Sequence, residues 1–111
     1  MKKVFISQPM KGKTDEEILM ERERAIENVK GYLKNIGEEE VEIIDSFFQG
    51  APADAKPLWF LGKSLELLSM ADYVYFVNGW EETRGCKIEH HCAVEYGLQI
   101  LIENDLNLCG M

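Results

Sequence analysis

The amino-acid sequence predicts a small doubly wound α/β domain, a parallel sheet of about four strands flanked by helices. Three observations predict it. Four short apolar runs alternate with three segments of helical period, the pattern of parallel strands joined by right-handed crossovers. The run Tyr73-Val74-Tyr75-Phe76-Val77 is apolar almost throughout, as a strand covered on both faces must be. A chain of 111 residues, 46% of them hydrophobic, suits one domain over residues 1–111, with a core that needs no disulfide or metal staple.

Each element has a local reason. Val4-Phe5-Ile6-Ser7 is β-branched and aromatic and reads as the first buried strand. Thr14-Asp15-Glu16-Glu17 is a capping box, with Thr14 and Glu17 placed to satisfy orphan N–H groups at a helix start. Ile18, Met20, Ala25, Ile26, Val29 and Leu33 continue that helix as an amphipathic stripe ending near Gly37. Val41–Asp45 is the second strand. Pro57, tolerated in a first turn, opens the second helix, whose stripe is Leu58, Leu61, Leu65 and Leu68. Tyr73–Val77 is the third strand, Cys86–Tyr96 the third helix, stopped by Gly97, and Gln99–Ile102 the fourth strand.

Charge and cysteine content narrow the function. The chain has 12 Lys and Arg against 20 Asp and Glu, a formal charge of −8. That balance excludes a nucleic-acid polymer or an anionic membrane surface as the bulk partner, because both attract net positive charge. A local basic patch can still hold one phosphate. Cys86, Cys92 and Cys109 are odd in number and lack zinc-ligand spacing, so they describe no disulfide framework. Met1–Ser7 holds no apolar run of signal-peptide type, and no apolar stretch approaches the roughly 20 residues of a membrane span. The expectation is a reduced, soluble, cytoplasmic protein.

In a doubly wound sheet the ligand lies beyond the carboxyl ends of the strands, where the strand order reverses. Two loops matter under that rule, Ser7–Lys13 after the first strand and Asn78–Gly85 after the third. Taking Gly85, Ile88, Cys92 and Tyr96 as the buried arc of the third helix puts Glu89 at the border of that arc, in or near the first turn. The helix dipole there favours an anion by about 0.3–1 kcal/mol, so Glu89 is expected to stay ionised beside the ligand crevice. It reads either as a nucleophile or cation stabiliser, or as a solvated glutamate that only complements the dipole.

The neighbouring candidates are weaker. His90 and His91 are adjacent in sequence and do not face one another, and Cys86 with His90 makes two ligands only, so no metal site is expected. Lys11-Gly12-Lys13 reads as a phosphate-approaching loop or as an exposed turn. Trp80 reads as a nucleobase stacker, a lid over the local core or an oligomer contact. Arg84 reads as an anion ligand, a partner for Glu89, or half of a surface ion pair with Glu81 or Glu82.

The segment Gly85-Cys86-Lys87-Ile88-Glu89-His90-His91-Cys92-Ala93-Val94-Glu95-Tyr96-Gly97 resembles the GTAFELGYAxAxG segment of the nucleoside 2-deoxyribosyltransferase superfamily, with Gly85, Glu89, Ala93 and Gly97 in register. Val4–Met10 and Ala71-Asp72-Tyr73-Val74 are similar as well. Small proteins of the DUF4406 type resemble the chain over most of its length, through the segments SQPMKG and RGCxIEH.

The resemblance implies a flavodoxin- or Rossmann-like fold and an N-glycosidic chemistry. Glu89 would attack the anomeric carbon of a nucleoside or nucleotide, expel the base and hold the sugar as an ester, which a second base or water then takes with net retention. Phe5, Ser7, Gln8, Pro9, Met10, Asn78, Gly79, Trp80, Arg84 and Gly85 would bind this small-molecule partner. No metal or cofactor is implied, and a homo-oligomer is. This chain has Phe5 where the superfamily has an orienting tyrosine, Asn78 and Thr83 where it has acids, and Cys86 where it has threonine. A non-catalytic nucleotide-binding or regulatory module is the rival expectation.

Overall fold

The computed structural model describes residues 1–46 and 53–105. Side chains on a strand alternate between faces, and here that alternation divides the core in two. From β1 (Lys2–Ser7) and β3 (Tyr73–Phe76), Val4, Ile6, Tyr73 and Tyr75 join Val77 against Ala25, Val29 and Leu33 of α1 (Asp15–Asn35). Phe5, Val74 and Phe76 go to the other face, against Leu68 of α2 (Pro57–Leu68) and Ala93 of α3 (Arg84–Glu95). Burial of each such aliphatic or aromatic side chain contributes about 1.5–3 kcal/mol, which is why both faces must be covered by helices.

With β2 (Val41–Ile43) and β4 (Gln99–Ile102), these strands form one all-parallel sheet in the order β2-β1-β3-β4. The chain leaves β1 for one edge, then crosses back to place β3 on the opposite side, so the order reverses between β1 and β3. Ser7 pairs with Phe76 at the carboxyl ends of those two strands. The expected doubly wound α/β fold is the observed one.

Local signals set most boundaries. Thr14 caps α1 as a complete capping box: its hydroxyl accepts from the Glu17 N–H, and the Glu17 carboxylate accepts from the Thr14 N–H. The structure departs from the sequence expectation most at β2 and α3. The strand β2 ends at Ile43 rather than Asp45, because the Ile44 carbonyl is taken by Arg22 Nη2 at 2.8 Å instead of by a strand. Helix α3 starts at Arg84, two residues earlier than expected. Its buried arc is Cys86, Glu89 and Ala93, rotated by one residue from the expected Gly85, Ile88, Cys92 and Tyr96; Tyr96 is 82% exposed.

Between β3 and α3 a single 3₁₀ turn, Trp80–Glu82, redirects the chain. Gly79 precedes it at φ 93°, a left-handed conformation that side-chain-bearing residues resist, and a Cβ there would sit 3.6 Å from Pro9 Cγ. The left-handed φ, and not that ordinary contact distance, is what selects glycine here.

Candidate functional site

A cleft of about 640 Å³ opens at the β1/β3 switch point. Phe5, Ile6 and Gln8 come to it from β1 and its loop, Pro57 to Ser64 from the first half of α2, and Thr83 to Glu89 from the start of α3. Glu89 is 7% exposed, and its Oε1 accepts a hydrogen bond from Ser7 Oγ at 2.6 Å. The strand end that carries Ser7 and the buried arc that carries Glu89 are what bring the pair together.

The expectation that Glu89 stays ionised is overturned. It is the sixth residue of α3, beyond the first turn where the dipole acts, and burial dominates. Desolvation pushes its pKa from the usual carboxylate value of 4.5 up to about 7, while the Ser7 and Ser64 hydroxyls pull in the other direction. Near neutral pH this carboxyl therefore exists in both protonation states, the condition for moving protons as well as for attack in its ionised form. Beside it, burial pushes the Cys86 thiol up, and the Ser7 and Thr83 hydroxyls oppose that shift.

Of the residues expected at the site, Phe5, Gln8, Met10, Arg84, Gly85 and Glu89 share the cleft wall, and Ser7 reaches it through Glu89. Pro9 is buried against Gly79, and neither belongs to the wall. The Asn78 N–H donates to Glu103 Oε2 at 2.8 Å, away from it. Trp80 is stacked on His90 at 4.4 Å between ring centroids and lies against Phe76 at 5.2 Å, so it covers the local core and lines no part of the cleft. Arg84 is exposed and forms no ion pair with Glu81, Glu82 or Glu89; the ion pairs among the described residues are Lys13–Glu21, Arg24–Glu103 and Lys63–Glu66. In the Lys11–Lys13 turn, Lys11 is exposed and Lys13 is spent on Glu21. Among the described residues no three His, Cys, Asp or Glu side chains gather as metal ligands.

Sequence reasoning missed several wall residues. Ser46 enters from the segment after β2, Lys56 from the N-cap of α2 and Ser64 from α2 itself, and nothing in their local sequence marks them. Arg22 carried a legible signal, a charge on the apolar stripe of α1. It is buried, and its Nη1 donates to Ser46 Oγ at 3.1 Å, fixing that part of the wall. Burial lowers the Arg22 pKa, and Asp45 offsets this.

The chain matches the model of a family described as a domain of unknown function, DUF4406, over residues 2–102. The chain belongs to the DUF4406 family. No curated protein and no solved structure matches it. The DUF4406 match spans every strand and helix above, so the whole cleft lies within it. In this DUF4406 chain no helix among the described residues is long and apolar enough to cross a membrane.

Proposed function

We propose that the cleft binds a nucleoside or nucleotide and that Glu89 cleaves or transfers its N-glycosidic bond. The observation that carries this reading is the Glu89 carboxyl, buried on the cleft wall and held by Ser7 at 2.6 Å. Ionised Glu89 attacks the anomeric carbon, the carbon–nitrogen bond breaks, and its electron pair leaves with the base, which takes a proton from water. The sugar is then an ester of Glu89. Water, or a second base, attacks the same carbon and returns the carboxylate, with net retention after two displacements. Ser7 supports the chemistry by fixing one carboxyl oxygen and favouring the ionised form.

A binding-only role on the same fold is the second reading. What favours it is that Glu89 is the single carboxylate on the described cleft wall, and that Phe5 brings no hydroxyl to it. Two finer points belong to the proposal. A homo-oligomer is one, and it rests on the superfamily resemblance, since the exposed Leu58 and Phe60 of α2 line the cleft itself. A reducing, cytoplasmic setting is supported by Cys86 and Cys92, both free thiols.

Intact-protein mass spectrometry after incubation with deoxynucleosides and their 5′-monophosphates, with released base quantified in parallel, tests the reading. A sugar-sized adduct or base release that disappears in Glu89→Ala is expected. Neither adduct nor free base across the panel would overturn it in favour of binding alone.

A further inference from the structure

Breaking an N-glycosidic bond to a purine or a pyrimidine engages two groups. A carboxylate meets the anomeric carbon, and an acid gives a proton to the base, whose nitrogen otherwise departs as an anion. The described cleft wall holds one carboxyl, Glu89, which has no proton to give in its attacking form. The other proton donors of the wall are the hydroxyls of Ser46, Ser64 and Thr83, the Cys86 thiol, and the cations Lys56 and Arg84. Side chains of these types hold their protons well above neutral pH, and burial pushes the thiol higher still. The histidines are elsewhere: His90 stacks on Trp80, His91 is exposed, and neither lines the cleft. Residues 47–52 and 106–111, outside the described ones, contain no Asp, Glu or His.

A second observation concerns the ring that must leave. Phe5, Met10, Leu58, Phe60, Leu61 and Ile88 make most of the wall apolar. Phe60 is 39% exposed on that wall, and an aromatic face attracts a cationic ring. Glu89, when ionised, adds a buried and poorly screened negative charge. Lys56 and Arg84 are exposed to solvent, which screens them.

We infer that the leaving group matched to this cleft is one that departs neutral, the ring of a cationic N-glycosyl pyridinium seated on Phe60, and that the reaction is exchange of one pyridine base for another. The inference names the substrate class of the proposed glycosidic site and rests on that reading. Ionised Glu89 attacks the anomeric carbon, the carbon–nitrogen bond breaks, and its electron pair cancels the positive charge of the ring nitrogen. A second, neutral pyridine then attacks the same carbon with its nitrogen lone pair. The ester carbon–oxygen bond breaks and its pair returns to Glu89. No proton moves in either half, so the wall lacks nothing that the reaction requires. Water can take the place of the second pyridine, losing a proton to solution, but no base on the wall assists it.

The test incubates the full chain and Glu89→Gln with glycosides of nicotinamide, hypoxanthine and uracil. Each is supplied as riboside, 2-deoxyriboside and their 5′-monophosphates, and each rate is taken over its own spontaneous rate. Glu89-dependent release of nicotinamide is expected to be accelerated at least about a hundredfold more than release of either neutral base, the low end of what a general acid contributes. Deuterated nicotinamide is expected to enter the unlabelled glycoside, read by mass spectrometry, faster than the glycoside is hydrolysed. Phe60→Leu, at a partly exposed position, is expected to raise KM for the pyridinium about two- to fivefold and to leave uridine unchanged. Equal acceleration of a neutral nucleoside overturns the inference and keeps the glycosidic reading, because an acid then reaches the leaving base. Hydrolysis without label exchange overturns the exchange reaction, and an equal effect of Phe60→Leu on both substrates overturns the seat of the ring. No Glu89-dependent release from any glycoside overturns the inference together with the glycosidic reading.

Discussion

Ser7 Oγ donates to Glu89 Oε1 at 2.6 Å, joining the end of β1 to the second turn of α3 across 82 residues of sequence. Both side chains are buried, and the hydrogen bond is worth more there than it would be in water. It ties the protonation of the candidate nucleophile to the register of the central strand.

Ser7→Ala removes a donor that favours the ionised carboxyl, so the Glu89 pKa should rise above its value of about 7. If ionised Glu89 is the attacking form, base release increases with pH through about 7 and then levels off. In Ser7→Ala that rise should move to higher pH, with a lower rate at neutral pH. A pH–rate profile unchanged in position would assign Ser7 a packing role only.

The raised pKa also makes stability depend on pH. The folded protein holds the Glu89 proton more tightly than the unfolded chain does, about 7 against 4.5. Its contribution is therefore fully present below about pH 4.5 and is lost as the pH rises through 7. The loss is on the order of 3 kcal/mol at full ionisation. Glu89→Gln cannot ionise, so its stability relative to the native chain should improve by that order between pH 4.5 and 8. Urea denaturation of both proteins at several pH values measures the difference, and a pH-independent difference would count against a buried carboxyl.

Glu103 is 2% exposed and holds two groups at once, Arg24 Nη2 at 3.0 Å and the Asn78 N–H at 2.8 Å. Arg24 is half exposed and returns to water when its partner is removed, so the main loss is the bond to Asn78. Glu103→Ala should cost about 2 kcal/mol for that charge-assisted bond and the unsatisfied N–H. Amide hydrogen exchange should quicken at Asn78 more than along β1. Uniform quickening would show that Glu103 serves the whole fold rather than this loop.

Trp80 rests on His90 and Phe76, not on the cleft. Trp80→Ala should therefore lower stability, by about 2 kcal/mol for a half-buried aromatic, while ligand affinity stays within twofold. A calorimetric titration in which affinity falls by an order of magnitude would restore the base-stacking role expected from the loop position.

The fold was legible because its signals are local. The capping box at Thr14, Pro57 in a first turn, and the apolar runs Val4–Ser7 and Tyr73–Val77 each report on near neighbours, and the alternation of helix and strand dictates a parallel sheet. Glu89 was legible as a candidate from its place early in the third helix, whereas of the two loops that follow the strand ends only Gln8, Met10 and Thr83 to Gly85 line the cleft. Tertiary structure decided the rest. Rotation of the buried arc of α3 by one residue took Glu89 from a border into desolvation and raised its pKa toward neutrality. Packing on His90 turned Trp80 away, and α2 delivered Ser64 and Lys56 to a cleft that their own sequence surroundings never mention. A local pattern carries the period of an element, whereas desolvation and hydrogen-bond partners depend on what the rest of the chain brings alongside, here from as far as 82 residues away.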